Sequence, residues 1–321
     1  LLSRGLGDVY KRQILRYYMK LSGKSELMSV LNKYNFSFSK SLGQNFLIDQ
    51  NILNKIVSGS GINENTNVLE VGPGAGTLTR ELCLKAKKVT AVEIDKALIP
   101  ILNDVMSDFD NFNLINSDIL ELNINELIKN EFDNESFTVV ANLPYYITTP
   151  IIMNFLESEL PVNSMTLMIQ KEVAARILAE PGTKDYGALS VAVQFYAEPG
   201  IICSASPHCF TPQPKVTSTV VNLKLYDKPK YDVKNKEQFF KIVKSIFSQR
   251  RKTLVNSLSG SPYLDLSKDK IIDVLKQMEL NEKVRGEKLN IEQIAELSNI
   301  IYETQELSLI HISEPTRQEA I

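Results

Sequence analysis

Val68-Leu69-Glu70-Val71-Gly72-Pro73-Gly74-Ala75-Gly76 reads as a short β-strand that runs into a glycine-rich turn, with a helix predicted to start near Thr77. Glycines at this spacing let the backbone turn sharply and let a ligand approach where a side chain would collide. Outward from this stretch, short runs rich in β-branched and apolar residues recur at Val89–Glu93, Phe112–Ile115, Thr138–Ala141, Met165–Ile169 and Thr219–Leu225. Helical patterns such as Leu78–Lys85 and Lys96–Ser107 separate most of them. Such alternation predicts an α/β fold, a mainly parallel sheet with helices on both faces. Residues 187–203 read as a short helix running into a strand. Beyond Lys228 the texture changes: residues 234–259, 268–279 and 290–304 read as helices, with Phe239, Ile242, Val243, Ile246, Phe247 and Leu254 at three- and four-residue spacing.

The expected division is therefore a domain over residues 21–227 and a helical domain over residues 228–306. Residues 1–20 and 307–321 do not continue either pattern. They resemble translated sequencing-adapter read-through, so they are expected to be non-native and poorly packed, with Met19 or Met28 as the natural start. The 321 residues, 43% hydrophobic and 23% charged, suit an ordinary globular chain of two domains. No unbroken apolar run approaches the roughly eighteen residues of a membrane span. Three cysteines and two histidines without metal-like spacing argue against a disulfide framework or a metal site and for reduced, cytoplasmic thiols. A net charge of −2 means that any surface for a polyanion must be local.

Acidic residues at the ends of successive strands define a cofactor site. Glu93 ends the strand after the glycine turn, where a carboxylate can accept hydrogen bonds from both ribose hydroxyls. Asp118, after the third strand, is placed to accept from an adenine amino group. The spacing G-x-G-x-G fails the dinucleotide fingerprint, and no G-x-x-x-x-G-K-[ST] is present, so a nicotinamide dehydrogenase and a P-loop are both disfavoured.

Asn142-Leu143-Pro144-Tyr145 follows the fourth strand. An adenine amino nitrogen is a poor nucleophile because its lone pair is delocalised into the ring. The Asn142 side-chain oxygen and the Pro144 carbonyl could each accept an N–H hydrogen bond, holding the nitrogen towards tetrahedral geometry. Tyr145 could stack on a base flipped out of its helix. Tyr146 is expected to pack beneath the turn.

At this point the chain resembles the RsmA/KsgA family of ribosomal RNA adenine dimethyltransferases over residues 36–304. The likeness rests on Lys40-Ser41-Leu42-Gly43-Gln44-Asn45-Phe46-Leu47, the glycine turn, Ala91-Val92-Glu93-Ile94-Asp95, Asn142–Pro150 and Gln170-Lys171-Glu172-Val173. It continues through Pro181-Gly182 to Tyr186-Gly187, Phe210–Val216 and Arg250-Arg251-Lys252-Thr253-Leu254. The resemblance implies a Rossmann-like class I methyltransferase sheet with a reversed final strand, and S-adenosylmethionine as cofactor. It implies that Asn45 and Leu47 join Gly72, Gly74, Glu93, Asp118 and Asn142 in the cofactor pocket, and that Phe210 faces the target base opposite Tyr145. The implied substrate is a pair of adjacent adenines in the 3′-terminal hairpin loop of 16S ribosomal RNA, each dimethylated, in an immature small subunit. A monomer without a metal is expected.

Residues 228–252 contain nine Lys or Arg against Asp232 and Glu237. On a helical wheel Lys241, Lys244, Arg251 and Lys252 fall opposite the apolar face, which suits phosphate contacts. Arg250 projects from the apolar side and would anchor the two domains, while Lys33 and Lys40 are weaker RNA candidates. Competing readings are a large-subunit adenine methyltransferase of the macrolide-resistance type and a ribosome-assembly checkpoint or scaffold protein. The first typically carries N-I-P-Y and lacks the segment that reads Pro181-Gly182-Thr183-Lys184-Asp185-Tyr186-Gly187 here.

Overall fold

The structure, a computed structural model, describes residues 21–313, with side chains through residue 305. In chain order the elements begin with α1 (Lys24–Lys33), β1 (Phe46–Leu47), α2 (Gln50–Gly59), β2 (Asn67–Val71), α3 (Thr77–Cys83) and β3 (Lys88–Glu93). There follow α4 (Ile99–Val105), β4 (Phe112–Asn116), α5 (Ile124–Phe132), β5 (Phe137–Asn142), α6 (Thr148–Glu157) and β6 (Val162–Gln170). Next come α7 (Lys171–Ile177), α8 (Ala188–Tyr196), β7 (Ala197–Ala205), β8 (Phe210–Thr211) and β9 (Ser218–Leu225). The chain ends in α9 (Lys236–Ser248), α10 (Leu254–Ser259), α11 (Lys268–Gln277) and α12 (Ile291–Ser313). Two compact units result. Among the described residues, one comprises residues 21–174 together with Ala197–Leu225; the other comprises Ala175–Tyr196 and residues 226–313.

The first unit is built on a seven-stranded sheet of order β4-β3-β2-β5-β6-β9-β7. Strands β2 to β6 run parallel to one another, and β9 is antiparallel to both β6 and β7. This is the reversed final strand that the resemblance implies. Every residue of β2 is buried, as helix-covered parallel strands require. The register aligns Val71 with Val92 and with Ala141, and Glu93 with Asn116. The carboxyl ends of β2, β3, β4 and β5 therefore finish together. The order turns outward in opposite directions from β2 and β5, which is where such sheets bind ligands.

In the second unit, α8 packs on α9 through an aromatic cluster: the Phe195 ring lies 4.8 Å from Phe239 and 5.8 Å from Tyr231. Tyr186 is fully buried and donates its hydroxyl to the Leu289 carbonyl at 3.1 Å. Arg250 donates to the Tyr186 carbonyl at 2.9 Å and faces Glu287 at 3.6 Å. Its role here is to tie the segment around Tyr186 to the helices that follow residue 226. Residues 175–196 thus pack with the helical unit, although they precede the boundary expected near residue 228. Contacts made far along the chain leave no trace in local periodicity.

Two helix expectations need correction. Residues 234–259 form two helices: Gln249 leaves helical backbone at φ −138° and ψ 74°, and the Thr253 hydroxyl caps the next helix at the Asn256 N–H. Arg251 and Lys252 sit in the connection, so the helical wheel does not extend to them. The last helix runs through Ser313 and does not stop at residue 304, since no glycine or proline interrupts it before Pro315. The expected leader 1–20 and the remainder of the expected tail lie outside the described residues.

Packing in the second unit is tight at Gly286, where an added Cβ would stand 2.1 Å from the Ile246 side chain. Gly286→Ala is therefore expected to lower unfolding free energy by about 1–3 kcal/mol through overpacking. Gly187→Ala, where a Cβ meets nothing within 4 Å, should cost less than about 0.5 kcal/mol. Equal denaturant midpoints for the two variants would contradict this packing.

Candidate active site

Four strand ends and one loop form a cavity lined by Gly72 and Gly74 after β2, Glu93 and Ile94 at the end of β3, and Asp118 and Leu120 after β4. Asn142 to Tyr146 at the end of β5 and the segment Leu42–Leu47 complete it. Gly72 and Gly74 have φ of +70° and +60°, backbone that side chains disfavour. A Cβ on Gly72 would meet no protein atom within 4 Å, so the turn borders open space. A Cβ on Gly74 would stand 2.9 Å from the Phe46 ring, which closes over it.

Glu93 is 5% exposed, and its two carboxylate oxygens accept from the Gly74 N–H at 3.2 Å and the Asp95 N–H at 2.8 Å. Burial outweighs those donors and pushes its pKa up to about 7. Glu70, within β2, also reaches the cavity. Its Oε2 is buried with no hydrogen-bond partner, and burial pushes its pKa up to about 8. Asp118 also lines the cavity, with Oδ1 accepting from the Leu120 N–H at 2.9 Å.

Asn45 and Leu47 come to the cavity because β1 pairs with β8, Leu47 opposite Phe210. Asn45 is held in turn by its side chain, which donates to the Gly43 carbonyl at 2.9 Å, and its own carbonyl accepts from Asn142 Nδ2 at 3.0 Å. That last bond settles the Asn142 amide. With Nδ2 committed to Asn45, Oδ1 is left as the free acceptor. A flipped amide would lose the bond and oppose two acceptors, costing about 1 kcal/mol or more.

The Pro144 carbonyl does not fit the role expected of it. It accepts from the Ile147 N–H at 3.2 Å and the Thr148 hydroxyl at 3.1 Å, so both lone pairs serve the start of α6. The preceding carbonyl, of Leu143, accepts no hydrogen bond among the described residues, and Leu143 lines the cavity. Tyr145 lines the cavity too, its hydroxyl fixed by Ser218 Oγ at 2.8 Å. Phe210 is 1% exposed, packs in the core and does not line the cavity; core packing of an aromatic ahead of two prolines accounts for it. Tyr146, expected beneath the turn, is 57% exposed at the cavity rim.

The basic candidates Lys241, Lys244, Arg251 and Lys252 lie in the other unit. Lys244, Arg251 and Lys252 are exposed, whereas Lys241 pairs with Glu237 at 2.6 Å. Lys33 pairs with Asp104 at 2.6 Å. Sequence reasoning missed Glu70, although it stands inside the glycine-turn stretch, because a mid-strand acid reads as an outward-facing residue. It also missed Ile94 and Leu120, 47% and 40% exposed, whose signal is their position directly after or near Glu93 and Asp118. Gln44 was missed as well; its amide donates to Asp95 at 2.6 Å and accepts the Ser39 N–H at 2.7 Å, pinning the loop.

The profile of the family described as ribosomal RNA adenine dimethylase matches residues 35–303. The ribosomal RNA small subunit methyltransferase A of Clostridioides difficile is 56% identical over 282 residues, covering 88% of this chain and 97% of its own length. That of Alkaliphilus oremlandii is 50% identical over 280 residues, covering 87% and 97%. Among solved structures, a dimethyladenosine transferase from Plasmodium falciparum superposes with a TM-score of 0.68 at 25% identity, over 81% of this chain and 98% of that one. The 23S rRNA methyltransferase ErmE does so with a TM-score of 0.62 at 27% identity, over 79% and 98%. With the profile matched across both units and relatives at such identity spanning nearly their whole length, the chain belongs to the ribosomal RNA adenine dimethylase family.

Proposed function

We propose that this enzyme uses S-adenosylmethionine to dimethylate N6 of two adjacent adenines in the 3′-terminal hairpin loop of 16S ribosomal RNA, acting in the cytoplasm on an immature small subunit. The observation that carries the reading is the bond from Asn142 Nδ2 to the Asn45 carbonyl, which leaves the amide oxygen as the acceptor of a residue that lines the cavity with the glycine turn. The names of the bacterial relatives favour the small subunit.

The residues present fit the cofactor. Open space beside Gly72 is a cradle that any Cβ would narrow, the Glu70 Oε2 is a buried polar atom whose hydrogen bonding is incomplete, and Glu93 offers a carboxylate to a ribose. Asp118 can accept from an adenine amino group, with Ile94 and Leu120 as apolar walls for the ring. When bound, S-adenosylmethionine supplies a methyl group on a positively charged sulfur.

The chain's own residues align the target. Asn142 Oδ1 accepts one N–H of the exocyclic amine, and the Leu143 carbonyl, in place of the occupied Pro144 carbonyl, accepts the other. Both lone-pair acceptors then draw the nitrogen out of conjugation with the ring. Tyr145, fixed at its hydroxyl, offers its face to the flipped base. No general base is required, because the proton on the alkylated nitrogen is acidic and leaves to water. A monomethylated amine keeps one N–H, so the second transfer must run with a single acceptor engaged. We propose that the helical unit, through Lys244, Arg251 and Lys252 and with Lys241 released from Glu237, holds the RNA backbone.

Asn142→Ala is expected to lower single-turnover transfer to unmethylated small subunits by at least about a hundredfold, while affinity for S-adenosylhomocysteine changes only a few-fold. Transfer near the wild-type rate would refute the assigned role. Label appearing in large subunits, mapped by mass, would support the resistance-type reading, and binding without transfer would support a scaffold.

Glu93 gives a pH dependence. Protonated, it loses one acceptor for the ribose hydroxyls, and its pKa near 7 places the change in the neutral range. Affinity for S-adenosylhomocysteine should therefore rise up to about tenfold between about pH 6 and pH 8. Calorimetric titration of Glu93→Gln should show that rise flattened; an unchanged slope in the variant would assign the titration elsewhere.

A further inference from the structure

Tyr146 stands at the mouth of the cavity with 57% of its surface exposed, next to the tyrosine that the functional reading places against the flipped base. Among the described residues, the exposed aromatic side chains are Tyr146 and Tyr263; the other large rings are at least half covered. The ring is backed on one side. Gly43, at φ +61°, passes beside it, and a Cβ built there would lie 3.7 Å from two carbons of the Tyr146 ring. The Gln44 amide, bonded to Asp95 and to the Ser39 N–H, fixes that loop. A supported ring with an open surface beside a base pocket is the arrangement on which single-stranded bases stack.

We infer that Tyr146 is a stacking platform for the nucleotide covalently next to the flipped adenine, and so selects RNA whose neighbouring base is a purine. This inference rests on the functional reading above. When one adenine enters the cavity, its neighbour in the loop is carried to the rim, where Tyr145 is already occupied and Tyr146 is the free aromatic surface. A purine presents more ring area than a pyrimidine and stacks more strongly. Because the two target adenines adjoin, one can serve as the anchor while the other is modified.

The test uses the full chain and small subunits reconstituted with 16S RNA in which one of the two adenines is replaced by uracil or by guanine. Transfer is read by mass at the remaining adenine, giving kcat and KM separately. Wild type should favour a purine neighbour over uracil by about fivefold or more in kcat/KM, mostly in KM. Tyr146→Ala should reduce that preference to near unity without changing S-adenosylhomocysteine affinity, and Tyr146→Phe should restore it. A wild type indifferent to the neighbour, a preference that survives in Tyr146→Ala, or a loss expressed as weaker S-adenosylhomocysteine binding would overturn the inference while leaving the functional reading standing. Absence of transfer from wild type to any small subunit would sink both.

Discussion

The hydrogen bond from Asn142 Nδ2 to the Asn45 carbonyl, 3.0 Å across 97 residues of sequence, organises the site. It joins the end of β5 to the loop that precedes β1, and it decides which end of the amide faces the cavity. An asparagine free to flip would present a donor half of the time, and a donor repels the amine hydrogens that must be gripped. The rest of the loop's anchorage serves the same end. The Asn45 side chain holds the Gly43 carbonyl, Gln44 binds Asp95, and Phe46 lies against Gly74. Catalysis by alignment needs such rigidity, because effective molarity falls steeply once the reacting atoms wander.

Electrostatics make the opposite demand. Two carboxyl groups, Glu70 and Glu93, are buried at the strand ends and lifted to about 8 and about 7, mainly by loss of water. Burying acids without full compensation destabilises a fold, so their presence marks a place where ligand donors complete the hydrogen bonding. Glu93 keeps two backbone donors, from Gly74 and Asp95, and remains the more readily ionised of the pair. Glu70 has no backbone donor like those of Glu93, only the Thr79 hydroxyl beside it, and its Oε2 makes no hydrogen bond of full geometry. A ligand with hydroxyl groups and positive charge suits both.

The fold was legible because its signals are local. Strand runs, the glycine turn and the acids at strand ends sit within a few residues of one another, and the observed register brings Glu93, Asp118 and Asn142 to one edge as that pattern requires. The misses were all questions of direction or distance. Nothing in Asn142-Leu143-Pro144-Tyr145 tells which carbonyl the start of α6 will use; the Thr148 hydroxyl decides it, by taking Pro144. The burial of Phe210 follows from the pairing of β8 with β1, and the backing of the exposed Tyr146 ring comes from Gly43, far away in sequence. In the helical unit, a single residue leaving helical backbone, Gln249, removed two arginine and lysine positions from the predicted face.

The most direct test of this account is a crystal structure of the protein with S-adenosylhomocysteine and an RNA carrying the hairpin loop. The account predicts the exocyclic nitrogen of one adenine within hydrogen-bond distance of both Asn142 Oδ1 and the Leu143 carbonyl, with Asn142 Nδ2 still on Asn45. A target amine bound to Asn142 Nδ2, or turned away from this corner while the base occupies the cavity, would contradict it.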